Sequence, residues 1–305
     1  MTNLRGVYPP IISIFDENGN FDVDANKKQA DYLIKNGVDG ITYLGTSGEF
    51  YSMNAEQKKK VLDVMLPYVK GRTKVIVGVG ECNLQDTLDM VRYVEKIGAD
   101  AILLVNPYFN VYSDNMIIAY YNKVVRSTNL SVLIYNIPDL TGYNFSPDVV
   151  KTILKNNENI IGIKESLNDL DHVKSIIEVK NVNPDFAVYV AYENLAYDGL
   201  NAGADGFINA TANFAPEFTV NTYKAFVEGD LEKCREYAGK MKDSMEIYNF
   251  SKPIYLACKQ AVYFRVIGQD RFEILPALSL KNETKNKIYE AMKKLELFQE
   301  EDYAK

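Results

Sequence analysis

Three short segments of this chain carry side chains whose types and spacing could do carbonyl chemistry. In Ile160-Ile161-Gly162-Ile163-Lys164-Glu165-Ser166 a lysine stands at the far end of an apolar run. Burial disfavours the charged form of an amine, and a neutral amine attacks carbonyl carbon to give a Schiff base. The plain alternative for Lys164 alone is a solvated lysine at a strand end. Gly45-Thr46-Ser47-Gly48-Glu49 offers two hydroxyls and backbone N–H groups between glycines, a concave site that suits a carboxylate. Tyr135-Asn136-Ile137-Pro138 presents a phenol that can shuttle a proton if its geometry is right. Taken singly, the second segment reads as a turn and the third as one buried tyrosine among 22. Taken together they describe an amine for a ketone, a cradle for the adjoining carboxylate and a proton-transfer group. That set fits a 2-oxo acid as substrate or product.

Something must bring the three together, and the chain carries a repeated joint that could. Asn36-Gly37-Val38-Asp39-Gly40, Ile97-Gly98-Ala99-Asp100-Ala101 and Ala202-Gly203-Ala204-Asp205-Gly206 each follow a helix-like segment and precede an apolar run. Glycine just past a helix supplies the left-handed residue that ends it, so three copies indicate repeated βα units. Strands are predicted near Gly6-Ile12, Gly40-Leu44, Lys74-Val79, Ala101-Val105, Val132-Ile137, Ile160-Lys164, Ala187-Ala191 and Gly206-Ala210. Most are continuous in apolar residues, as strands covered on both faces should be. Helical patterns lie between them. Asn54-Ala55-Glu56-Gln57 reads as a capping box opening a helix through Val69, and Asn83 opens another with Leu84, Leu88, Val91 and Val94 on one face. Eight strands alternating with helices predict an α/β fold, a (β/α)8 TIM barrel over residues 1–225. Lys164, Tyr135 and Thr46-Ser47 then all fall at C-terminal strand ends, where barrel active sites lie. Helical patterns continue at Glu217-Glu228, Leu231-Tyr248, Lys252-Gly268 and Glu283-Phe298, so the last barrel helix is followed by a predicted helical extension, residues 226–305, packed on the barrel.

Composition narrows the field. With 305 residues, 47% hydrophobic and 25% charged, the chain suits one large globular domain with a sizeable core. A net charge of -7 with scattered basic residues argues against a nucleic-acid surface and favours a small-molecule ligand. No apolar h-region opens the sequence and no apolar stretch approaches a membrane span, so no membrane association is expected. Cys82, Cys234 and Cys258 lie far apart, which fits reduced thiols and a cytoplasmic location. The single histidine, His172, makes a Ser-His-Asp relay or a multi-histidine metal site implausible. It is expected on the surface of a helix.

The three segments, extended to Tyr135-Asn136-Ile137-Pro138-Asp139-Leu140-Thr141-Gly142, resemble the signatures of the N-acetylneuraminate lyase/dihydrodipicolinate synthase superfamily. The resemblance runs from Leu4 through the C-terminal helices. It implies a class I aldolase or related carbon–carbon lyase, usually a homotetramer, that binds pyruvate as a Schiff base. By resemblance Lys164 is the Schiff-base lysine and Tyr135 the proton-transferring phenol. Thr46 and Ser47 hold the pyruvyl carboxylate, and the backbone of Ile208 lies near the pyruvyl group. Dihydrodipicolinate synthases of this superfamily carry an arginine where Leu140 stands and a second tyrosine, lent across a subunit interface, where Phe109 stands. Both departures argue against synthase activity, and without a hydroxyl at Phe109 the proton from Tyr135 must pass to Thr46 or water. Gly48-Glu49-Phe50, Asn106-Pro107-Tyr108 and Ala212-Asn213-Phe214-Ala215-Pro216 look most similar to 2-keto-3-deoxygluconate aldolase-like members. The implied reaction is cleavage or formation of a 2-keto-3-deoxy sugar acid, with no metal and no cofactor beyond the substrate-derived Schiff base on Lys164. Ser166, Glu193 and Asn194 are expected to contact the sugar hydroxyls, although Glu193 and Asn194 equally suit a helix cap. The alternatives are N-acetylneuraminate lyase, dihydrodipicolinate synthase, and a non-catalytic sensor of pyruvate or sugar acids.

Overall fold

The computed structural model describes residues 4–298. Its strands are β1 (Gly6–Val7), β2 (Gly40–Tyr43), β3 (Lys74–Gly78), β4 (Ala101–Val105), β5 (Ser131–Asn136), β6 (Ile160–Glu165), β7 (Ala187–Val190) and β8 (Gly206–Phe207). Its helices are α1 (Val23–Lys35), α2 (Ala55–Val69), α3 (Leu84–Ile97), α4 (Asp114–Val125), α5 (Pro138–Thr141), α6 (Pro147–Asn156), α7 (Leu170–Ile177), α8 (Ala196–Ala202), α9 (Pro216–Val227), α10 (Leu231–Ser244), α11 (Tyr255–Val262) and α12 (Asn282–Lys294). All strand pairs are parallel, in the order β1-β8-β7-β6-β5-β4-β3-β2. The remaining gap, between β1 and β2, is bridged just beyond β1. The Thr42 N–H donates to the Pro9 carbonyl at 2.9 Å, and the Ile11 N–H donates to the Thr42 carbonyl at 3.0 Å. The fold is a (β/α)8 barrel, as the alternation of patterns predicts.

Two strands are shorter than the sequence suggests, for local reasons. The first was expected to reach Ile12, but Pro9 and Pro10 have no N–H to give to a ladder. The chain stays extended there and touches β2 only through the Pro10–Thr42 bridge. The last was expected to reach Ala210. After Phe207 only the Ile208 N–H still bonds to β7, at 3.3 Å from the Val190 carbonyl, and the chain then winds into a 3-10 turn at Thr211–Asn213.

The repeated Gly-x-Asp joint has a side-chain function besides its turn. Asp39 precedes β2 and grips β1: its N–H donates to the Val7 carbonyl at 3.0 Å, and its carboxylate accepts from the Val7 N–H at 2.8 Å. Asp100 makes the same pair of bonds with Val75 of β3, and Asp205 with Val188 of β7. Each aspartate therefore pins the strand before its own to one register. A carboxylate that accepts from a backbone N–H makes one of the stronger kinds of hydrogen bond, about 1.5–3 kcal/mol.

The helices follow their caps. Asn54 and Gln57 form the reciprocal capping box at the start of α2, and Asn83 accepts from the N–H groups of Gln85 and Asp86 at the start of α3. Leu88, Val91 and Val94 are buried, but Leu84, expected beside them, is the first residue of α3 and stays exposed at its end. Beyond the barrel, α10 packs on α9. The predicted Leu231-Tyr248 helix changes to a 3-10 turn at Met245–Phe250, and the predicted Lys252-Gly268 helix starts only at Tyr255 and ends in a π turn at Tyr263–Ile267. Pro253 explains the late start, since its fixed ring cannot join a helix interior.

Candidate active site

The β5–β6 ladder aligns Tyr135 with Lys164 and Asn136 with Glu165. Side chains alternate along a strand, so Tyr135 and Lys164 share one face and the next pair shares the other. Gly162 lets β6 approach β7 this closely, because a Cβ there would lie 2.3 Å from the Ala187 carbonyl oxygen. The Lys164 nitrogen lies 4.1 Å from the centre of the Tyr135 ring, and only 4% of Lys164 is exposed. Lysine is almost never fully buried without a partner of opposite charge. Lys58 and Lys259 have theirs in Glu81 and Glu49, whereas Lys164 makes no ion pair among the described residues. A buried, unpaired amine at a strand end is placed for chemistry more than for stability.

The Tyr135 hydroxyl lies 3.0 Å from the Thr46 hydroxyl. Thr46 sits in a sharply folded loop after β2. Leu44 and Glu49, which bracket it, both adopt left-handed backbone conformations, at φ 54° and 58°. That costs a non-glycine residue about 1–2 kcal/mol, and such strain gathers at functional sites. The loop is fastened by Gly48 N–H to Gly45 carbonyl at 3.0 Å, Glu49 N–H to Thr46 carbonyl at 3.1 Å, and Ser13 hydroxyl to Gly48 carbonyl at 2.8 Å. Ser47 is buried in it. One strand face and one strained loop thus bring Lys164, Tyr135 and Thr46 into a chain of contacts, with Ser47 beside them.

The other expected site residues are placed less uniformly. Ser166 is buried, and its hydroxyl has no hydrogen-bond partner among the described residues. Ile208 is buried at the end of β8, with its N–H given to β7. Glu193 is also buried, but one of its oxygens accepts from the Thr211 N–H at 3.1 Å and the Tyr248 hydroxyl at 2.9 Å. Burial pushes its carboxyl above the ordinary range. The Asn194 amide donates to Asn168 at 2.8 Å, while its oxygen is buried without a partner.

His172 is not the surface residue the sequence suggests. It lies on α7, partly buried, with Nε2 3.4 Å from a carboxylate oxygen of Glu165. Glu165 also accepts from the Asn136 amide at 2.6 Å. The only imidazole therefore faces a carboxylate on the outer side of the strand that carries Lys164. The Glu165 carboxylate beside it raises the His172 pKa, and burial raises that of Glu165. A second buried group, not expected from the sequence, joins Glu49 at the end of the Thr46 loop to Lys259 and Glu273. The signal was present: Tyr255-Leu256-Ala257-Cys258-Lys259-Gln260-Ala261-Val262 buries every position, so its lysine needed a partner. Among the described residues no three His, Cys, Asp or Glu side chains gather as metal ligands would.

Fold and site together define a carbon–carbon lyase built on a (β/α)8 barrel. The chain belongs to the dihydrodipicolinate synthetase family, whose model matches residues 3–295. It is 34% identical to a protein of Escherichia coli K12 named "Probable 2-dehydro-3-deoxy-D-pentonate aldolase YjhH", over 95% of this chain and 96% of that one. It is 30% identical to the 4-hydroxy-tetrahydrodipicolinate synthase of Thermotoga neapolitana, over 90% and 94%. The crystal structure of Escherichia coli K12 YagE, a prophage protein of the dihydrodipicolinic acid synthase family in complex with pyruvate, superposes with a TM-score of 0.94. It is 32% identical, covering 97% of this chain and 100% of that one. The dihydrodipicolinate synthase of Thermotoga maritima superposes with a TM-score of 0.92 at 29% identity, over 97% and 100%.

Proposed function

We propose that the protein is a Schiff-base aldolase that cleaves, or forms, a 2-keto-3-deoxy sugar acid. The observation that carries this reading is the buried, unpaired Lys164 against the ring of Tyr135, whose hydroxyl meets Thr46. The Lys164 amine adds to the C2 ketone, and the carbonyl oxygen leaves as water to give an imine. The protonated imine is the electron sink, the part a cofactor would otherwise play. Tyr135 takes the proton from the C4 hydroxyl and shares it with Thr46. The C3–C4 bond breaks, its electron pair forms the enamine of pyruvate, and the aldehyde departs. Protonation at C3 and hydrolysis of the imine release pyruvate and restore the lysine.

Thr46 and Ser47 hold the carboxylate through hydroxyls and loop N–H groups, and Ile208 offers its carbonyl oxygen nearby. Ser166 is the best supported of the three distal candidates, since its buried hydroxyl has no hydrogen-bond partner among the described residues. Asn194 has one such free atom, whereas Glu193 already has two protein donors on one oxygen. The choice of sugar acid is supported by the name of YjhH and by that of YagE, a provisional 2-dehydro-3-deoxy-D-gluconate aldolase 35% identical over 85% of this chain and 86% of its own. A second reading, 4-hydroxy-tetrahydrodipicolinate synthase, is favoured by the names of several relatives at about this similarity. Leu140, apolar and 59% exposed, offers nothing there to a second carboxylate.

A homotetramer in the cytoplasm completes the reading. Phe109, Val111, Met116 and Leu140 expose apolar surface that another copy would cover. Three free cysteines suit a reducing compartment, and among the described residues no helix is long and apolar enough to cross a membrane. The test is pyruvate release from a panel of 2-keto-3-deoxy pentonates, hexonates and N-acetylneuraminate. Fastest turnover of a pentonate or hexonate is expected. N-acetylneuraminate as the best substrate by a wide margin, or no release from any, contradicts the assignment.

A further inference from the structure

The loop that carries Thr46 and Ser47 ends on a carboxylate with no access to water. The Lys259 nitrogen, on α11, lies 2.6 Å from one oxygen of Glu49 and 2.5 Å from one oxygen of Glu273, and no side chain of the three exposes more than 6% of its surface. The three groups come from separate parts of the chain: the loop after β2, a helix beyond the barrel, and the segment that follows it. Stability is a poor reason for such a cluster. Buried ions lose their hydration, and well-packed apolar side chains of similar size often serve as well or better. One ammonium also faces two carboxylates, which burial pushes above the ordinary range despite it.

What the cluster does fix is Glu49. This residue is held in a left-handed conformation that a non-glycine residue avoids, and its N–H closes the turn on the Thr46 carbonyl. Lys259 itself is wholly buried and meets the Thr46 loop through Glu49. We propose that Lys259, supplied by the C-terminal extension, is a positioning residue for the carboxylate cradle: by clamping Glu49 it sets the orientation of Thr46 and Ser47. The same clamp keeps the Thr46 hydroxyl against that of Tyr135. The extension then has a part in substrate binding through Lys259. This inference rests on reading Thr46 and Ser47 as the cradle of a 2-oxo acid.

The experiment measures borohydride trapping of pyruvate on Lys164 as a function of pyruvate concentration. The forms compared are wild type, Glu49→Gln, Glu49→Ala and Lys259→Met, with folding followed by circular dichroism. Glu49→Gln keeps an acceptor for Lys259, so its half-saturating pyruvate should stay within about threefold of wild type. Glu49→Ala and Lys259→Met should raise it about tenfold or more, the equivalent of one charge-assisted hydrogen bond, while full labelling of Lys164 is still reached at saturation. A merely structural cluster would change the melting temperature and leave the half-saturating concentration alone. If the single variants do not fold, Glu49→Gln/Lys259→Met, which leaves Glu273 as the cluster's one ionisable group, is read the same way. A folded variant without the clamp that traps pyruvate at wild-type concentrations overturns the proposal alone. Wild type that traps no pyruvate at any concentration overturns the aldolase reading itself.

Discussion

Lys164 and Tyr135 are register partners across the β5–β6 ladder, and the lysine nitrogen lies 4.1 Å from the centre of the tyrosine ring. One strand pair therefore sets both the amine and the phenol. The next pair on the same ladder, Asn136 and Glu165, is joined by a 2.6 Å hydrogen bond on the opposite face. A one-residue slip would send Lys164 out of the barrel, and the Asn136–Glu165 bond resists that slip.

Loss of the Tyr135 hydroxyl alone should slow the chemical step without unfolding the protein. Tyr135→Phe keeps the ring that packs on Lys164 and removes the bond to Thr46. Turnover should fall by about two to four powers of ten, the usual worth of a positioned acid–base group. Normal turnover in single-turnover kinetics would make the phenol structural.

The pH dependence of stability should show the His172–Glu165 contact. The folded pKa of His172 is raised by the Glu165 carboxylate 3.4 Å from its Nε2. Its contribution is therefore complete below the unfolded value, about 6.5, and is lost as pH rises through the higher folded value. The buried Glu165 carboxyl is also raised, so ionising it opposes folding and acts in the same direction. The melting-temperature advantage of wild type over His172→Gln should be larger near pH 5.5 than near pH 8.5. An advantage that is constant or grows across that range contradicts the pairing. Since His172 is the chain's only histidine, one imidazole resonance reports its titration directly.

Condensation of pyruvate with aspartate semialdehyde should be very slow. Leu140 is apolar and exposed, and a carboxylate without a cationic partner is bound weakly. Formation of the cyclic product at a rate ordinary for a biosynthetic enzyme would select the synthase reading. Leu140→Arg is the informative variant: it should raise that rate if the position reads a second carboxylate.

The barrel was legible because its strands are covered on both faces. Ala101–Val105 is an unbroken apolar run, and the structure gives it the same ends. The Asn54-Gln57 box was legible because both partners lie within one turn. The Gly-x-Asp joints were readable as turns, but not as clasps, since Asp39, Asp100 and Asp205 each grip the strand before their own. The same limit hid the two buried clusters. His172 meets a carboxylate on a strand it does not belong to, and Lys259 meets Glu49 across 210 residues of sequence. Periodicity reports which face of an element is buried, not which distant charge waits there. Lys164 stood out because a charge closed an apolar run, and Thr46 because a turn was rich in hydroxyls and glycine.

The proposed chemistry turns on one covalent bond. Incubation with pyruvate, reduction with borohydride and peptide mass spectrometry should place a reduced pyruvyl adduct on the peptide that contains Lys164, and Lys164→Ala should abolish both the label and turnover. Label on another lysine, or active protein that takes up none, would contradict it.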